Sequence, residues 1–156
     1  MKSSMSSVRD GEAALGRMMI AMAGVLGALG VLIGAFGAHW LEPFLSESGL
    51  TTELVGRRLD QFDVGARYHL LHAVALLALP SLSVISSRAR WWAFVFFTAG
   101  ILLFSGSLYL LVLTNTPWLG AITPLGGSSW ILAWSTIAAS AWMCCHRGSD
   151  DQRVGN

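Results

Sequence analysis

The chain has 156 residues, 54% of them hydrophobic and only 12% charged, with a formal net charge of +1. A soluble domain carries about 25% charged residues, so half the usual water-facing charge is missing and a soluble fold is excluded. The near-neutral balance leaves no basic footprint for nucleic acid, and a mean hydropathy of +0.59 marks a membrane protein.

Residues 1–17 form a polar N-terminal tail, with Lys2, Arg9 and Arg17 set against Asp10 and Glu12. Residues 18–38 then run uncharged, long enough to cross a hydrocarbon core of about 30 Å. A signal peptide is the competing reading, since the flank is basic and Ala35-Phe36-Gly37 resembles a cleavage site. Its apolar core spans only about 7–15 residues, so this run is read as a retained helix. Ala23, Gly27, Gly30, Gly34 and Gly37 recur at four- and three-residue steps. In lipid such a stripe lets two backbones approach closely.

Residues 39–66 are the one long connection. Trp40 suits an interfacial anchor and Pro43 stops the first helix. Val55, Leu59, Phe62 and Ala66 recur at helical spacing among Glu53, Arg57, Arg58, Asp60 and Asp63. That pattern predicts an amphipathic surface helix over 52–66, capped by Thr51 or Thr52, feeding into a second span over 67–85. Pro80 would kink or thin its far end. Arg88 and Arg90 make a basic hinge, and Trp91-Trp92 open a third span over 91–113. Thr98, Ser105 and Tyr109 fall at seven- and four-residue steps, a hydroxyl stripe. After the turn Asn115-Thr116-Pro117 a fourth span covers 123–143, because Thr123 is a good cap and Pro124 suits the first helical position. Gly126, Ser129, Ala133, Thr136 and Ser140 repeat the small-residue spacing, so the first and fourth spans are expected to pack on each other. Residues 144–156 are a polar C-terminal tail, expected to be disordered. The vicinal pair Cys144-Cys145 offers neither disulfide geometry nor metal spacing.

The sequence therefore predicts an all-α, polytopic membrane protein: four transmembrane helices in a compact bundle plus a short surface helix. An even number of spans puts both tails and the Arg88/Arg90 hinge on one side. Seven of the ten basic residues lie there, against Arg57, Arg58 and Arg67 on the other. The positive-inside rule then places both termini in the cytoplasm.

Four ordered segments carry a family resemblance: 34–39 (GAFGAH), 68–76 (YHLLHAVAL), 103–111 (LFSGSLYLL) and 123–127 (TPLGG). Together they resemble domain-of-unknown-function family 423, small four-helix membrane proteins of bacteria, to which the eukaryotic transmembrane protein 256 group is similar. The likeness covers about residues 24–141. It implies a compact four-span protein of the inner membrane and no assigned activity. The family pattern falls on Gly34, Phe36, Gly37, Ala38, His39, Tyr68, His72, Ser105, Gly106, Ser107, Tyr109, Thr123, Pro124, Gly126 and Gly127. Relatives tend to carry glutamine where this chain has His69, which moves the weight from His69 to His72.

At about 100° per residue, His69 and His72 share one quadrant of their helix, whereas Asp63 and Arg67 lie opposite. Arg67 is expected to pair with Asp63 at i, i+4, and the histidines to point inward. The candidate polar cluster is His39, Tyr68, His72, Ser105 and Tyr109. A metal site at His39, His69 and His72 lacks the carboxylate or thiolate that would complete four ligands, and haem ligation by His39 and His72 has no support beyond their shared level. A proton or solute relay is the functional alternative, since intramembrane ionisable groups often mark such routes. The preferred reading is structural: His39 and His72 donate across helices and lock the outer end. No span holds an acidic residue, so a general acid–base pair is absent, and Ser105-Gly106-Ser107 is no nucleophile elbow. The sequence favours a small non-enzymatic accessory or scaffold protein of the cytoplasmic membrane, without a cofactor. Its expected partners are the lipid bilayer and either itself or a larger membrane complex. A small transporter or proton-coupled channel using His39 and His72 is the alternative.

Overall fold

The computed structural model describes the backbone of residues 2–154 and the side chains of residues 10–144 and 146; among the described residues there is no strand. Helix α1 (Lys2–His39) runs the length of the molecule and turns at Trp40 into the short α2 (Leu41–Glu47). Pro43 sits in the first turn of α2, where its missing N–H is not needed. Helix α3 (Thr52–Ala78) returns, opened by Thr51, whose hydroxyl accepts from the Leu54 amide at 3.4 Å. A 3-10 turn (Leu79–Ser81) leads to α4 (Ser87–Gly100), capped by Ser86 accepting from Ala89 N at 3.2 Å. Helix α4 continues without a break through a wide π-helical turn (Ile101–Ser105) into α5 (Gly106–Thr114). A second 3-10 turn (Pro117–Ala121) then leads to α6 (Thr123–Val154).

The long helices alternate in direction. Glu12 of α1 meets Ser87 and Arg90 of α4 at one end, and Arg58 of α3 meets Asn115 after α5 at the other. Packing is most extensive between α1 and α3 and between α4 and α6. One core is built on Met19, Leu76, Phe97 and Trp130; a second, at the α2 end, gathers Leu41, Leu45, Val55, Phe62, Leu111 and Val112. Large apolar side chains also face outward from every long helix, among them Val25 and Leu32, Leu71 and Val74, Leu102 and Leu110, and Ile131 and Trp134. That much exposed apolar surface needs lipid or protein to cover it.

Four expectations change. The small-residue stripes of α1 and α6 do not pair, because α1 packs on α3 and α6 packs on α4 and its π-helical turn. Step spacing identifies a face that permits close approach, not the helix that uses it. The predicted surface helix 52–66 is the first half of α3. Of its stripe, Val55 and Phe62 belong to the chain's own α2-end core, with Leu59 packed against it, rather than lying on a membrane. The second span stops short of residue 85, because the α-helical ladder ends at Ala78, two residues before Pro80. Both tails are helical: residues 2–17 continue α1 and 144–154 continue α6. Neither stretch contains proline, and extending an existing helix costs far less than starting one.

Two segments, Asp10–His39 and Ser87–Thr114, are long and apolar enough to cross a membrane, with mean hydropathies of 2.3 and 2.1. Helices α3 and α6 are more polar and fall short of that mark.

Candidate functional site

The polar side chains expected to cluster occupy three separate places. The first is an aromatic stack in the bundle's centre. His72 is buried, and its ring lies flat on the Trp130 indole, centroids 3.8 Å apart and planes within 2°. Tyr68, one turn earlier on α3, stacks on the same indole at 5.6 Å. His72 Nδ1 donates to the Tyr68 carbonyl at 2.8 Å, which in a neutral imidazole leaves Nε2 without a proton. The expected bond across helices is thus a bond within α3, and the contact across helices is the ring stack.

Helix α6 holds Trp130 by reaching into the turn ahead of the π-helical segment. Trp130 Nε1 donates to the Phe97 carbonyl at 3.2 Å, and Ser129 Oγ to the Phe96 carbonyl at 2.8 Å. Gly100 makes room for the indole, since a Cβ there would lie 2.2 Å from Trp130 Nε1. Gly126, one turn before Trp130, makes room for the Phe104 backbone, where a Cβ would lie 2.3 Å from the Phe104 amide nitrogen. Ala133 is fully buried on the same face.

The second place lies one turn earlier on α3, towards α2. His69 Nδ1 is 3.3 Å from the Tyr109 hydroxyl. His69 is 4% exposed and Ser105 is 0% exposed. The Leu26 carbonyl faces His69 and the Tyr109 hydroxyl faces Ser105, yet His69 Nε2 and Ser105 Oγ close no hydrogen bond of normal geometry. Buried polar atoms are nearly always paired, and one left alone costs about 1–3 kcal/mol. The cluster borders the π-helical turn, a conformation frequent at functional sites. Thr98 Oγ1, one turn before it, is also buried and unpartnered.

His39 stands apart, exposed at the end of α1 with its ring edge-on to Trp40. His69 packs near Gly30, nine residues or about 13.5 Å of helix earlier, so His39 does not share a level with the α3 histidines. The glycines of α1 divide. Gly30 lies under Leu70 and His69 and Gly37 under Phe62, whereas nothing stands within 4 Å of a Cβ at Gly24, Gly27 or Gly34. Arg67 pairs with Asp63 in the open, as the helical arithmetic predicts.

Sequence reasoning missed a further buried polar site, away from all three. Arg58 is 5% exposed and donates to Gln61 Oε1 at 2.8 Å and Asn115 Oδ1 at 2.7 Å. Burial, with Arg57 beside it, lowers its guanidinium from the usual value. Asn115 is the left-handed cap of α5, at φ 49°, so the cation lies at the partly negative C-terminus of that helix. The signal was the Asn-Thr-Pro turn, which needs a residue in that conformation. Among the described residues no three His, Cys, Asp or Glu side chains gather as a metal site would require.

Alternating apolar helices with large apolar side chains facing outward define a helical membrane protein. Residues 33–127 match the family model described as "Protein of unknown function (DUF423)", and the chain belongs to that family. It is 40% identical over 127 residues to the UPF0382 membrane protein YwdK of Bacillus subtilis, covering 75% of this chain and 93% of the relative. It is 39% identical to the UPF0382 membrane protein SAB0533 of Staphylococcus aureus over 70% and 86% of the two chains. Against the UPF0382 inner membrane protein YgdD of Escherichia coli the figures are 31%, 80% and 89%. No solved structure matches.

Proposed function

We propose that the protein is a four-span accessory or scaffold subunit of the cytoplasmic membrane, non-enzymatic, with both termini inside and its activity lying in helix packing. The observation that carries this is the division of the α1 glycines. Gly30 and Gly37 are covered from within, but Gly24 and Gly27 line an open groove of about 250 Å³ with Ala28, Leu70, Ala73 and Val74. In lipid, exposed small residues on a helix are where another helix packs closely. The outward apolar side chains of α3 and α6 favour four spans despite the lower hydropathy of those helices. Co-purification in mild detergent tests the role. A second copy or a reproducible partner should be recovered and then lost in Gly27→Leu; a monomer with nothing bound would overturn it. Cysteine placed at Ser48 tests the topology, and protection from an impermeant reagent in intact cells would reverse it.

A transporter or proton-coupled channel using His39 and His72 would need those rings on one path. His39 is exposed beside Trp40 and His72 is sealed under Trp130. Liposome flux abolished by His72→Ala in a folded protein would restore that reading.

A further inference from the structure

The two most apolar segments start at the same face, since Glu12 stands two residues into Asp10–His39 and Arg90 three residues into Ser87–Thr114. Between them opens a pocket of about 290 Å³ walled by Glu12, Leu15, Gly16, Pro80 and Arg90, with Met19, 1% exposed, among the residues lining it. Arg90 Nη2 donates to Ser87 Oγ at 3.1 Å and stands 3.7 Å from Glu12 Oε1, and Ser87 in turn donates to Glu12. The Arg90 side chain is only 15% exposed and that of Glu12 51%. The pocket thus presents a fixed guanidinium and an accessible carboxylate side by side, with Leu15 and Pro80 at its wall, where both spans enter the membrane. Trp91 and Trp92, exposed and next to Arg90, belong at the headgroup level.

We propose that this pocket binds the headgroup of a phospholipid carrying both a phosphate and a primary ammonium, the ethanolamine class. Arg90 takes the phosphate through its planar donors. Glu12 accepts N–H from the ammonium. Leu15 and Pro80 cover the glycerol and the first methylenes. The two charge pairs then lie antiparallel, so each protein charge is neutralised without the other having to be removed. A choline headgroup has no N–H to give Glu12, and a glycerol headgroup has no cation. The inference goes beyond the scaffold role and needs only that Asp10–His39 and Ser87–Thr114 cross the bilayer.

Native mass spectrometry of the full chain in detergent tests it, with phosphatidylethanolamine, phosphatidylcholine and phosphatidylglycerol of matched acyl chains in equal amounts. Ethanolamine lipid should be retained about tenfold over the other two, a difference of ~1.4 kcal/mol. Glu12→Gln and Arg90→Gln should each bring the ratio near one, and Arg88→Gln, at an exposed residue that does not line the pocket, should leave it unchanged. Equal retention of the three lipids by the unaltered chain would overturn the proposal without any variant having to fold. A preference surviving in both pocket variants would do the same. Displacement by water-soluble glycerophosphoethanolamine at equal concentration would overturn the lipid assignment.

Discussion

His69 and His72 sit one turn apart on the same face of α3, equally buried, yet their surroundings differ in kind. His72 has its Nδ1 bonded within its own helix and its ring covered by Trp130. His69 has one long hydrogen bond, to Tyr109, and the Leu26 carbonyl near it, but its Nε2 and the Ser105 hydroxyl close no bond of normal geometry. Burial alone therefore does not distinguish a side chain that holds the fold from one the fold tolerates. The stack on Trp130 stabilises; the Tyr109 cluster carries a cost that packing elsewhere offsets.

That contrast can be broken most severely from the Trp130 side. Trp130→Ala should cost about 3–5 kcal/mol by emptying the core over His72, read as a lowered melting temperature in detergent. Gly100→Ala should cost about 1–3 kcal/mol, because its methyl strikes the indole. His72→Leu should lose about 1 kcal/mol, the aromatic contact without a new unpaired atom, since the Tyr68 carbonyl keeps its place in the helix. Ser105→Ala should be neutral or stabilising by up to about 1 kcal/mol, because it removes a buried unpaired hydroxyl, and His69→Leu should be near neutral, because the unpaired Nε2 it removes offsets the long bond to Tyr109 that it loses. Should His69→Leu prove as costly as His72→Leu, the two histidines are equivalent and the contrast fails.

Much of this was legible in the residues. The helical character, a cap at Thr51 or Thr52, the Asp63–Arg67 pair and the inward turn of both histidines follow from composition, residue type and spacing, and the structure selects Thr51. What spacing cannot convey is which helix covers a given face. Gly30 and Gly37 were recognisable as points of close approach, but α3 rather than α6 makes the approach. Trp130 went unremarked because a tryptophan in an apolar run looks like bulk. Its position well inside the predicted fourth span, away from the interface where tryptophan usually sits, was the available clue. Arg58 reads as a surface charge until Asn115 is brought beside it, a contact 57 residues distant in sequence.

The wide turn at Ile101–Ser105 has a consequence for how the apolar segment Ser87–Thr114 counts its residues. Phe97, Ile101 and Ser105 lie at steps of four and are all buried, although in an ordinary helix each such step drifts by about 40°. The looser winding takes up that drift, so the span carries one spare residue, stored in a single turn. Loss of one residue between Leu102 and Phe104 would let the turn close to regular pitch with Gly100 and Tyr109 still facing their partners. Anywhere else in the span, the same deletion would rotate every following side chain by about 100° and present the lipid with the interior.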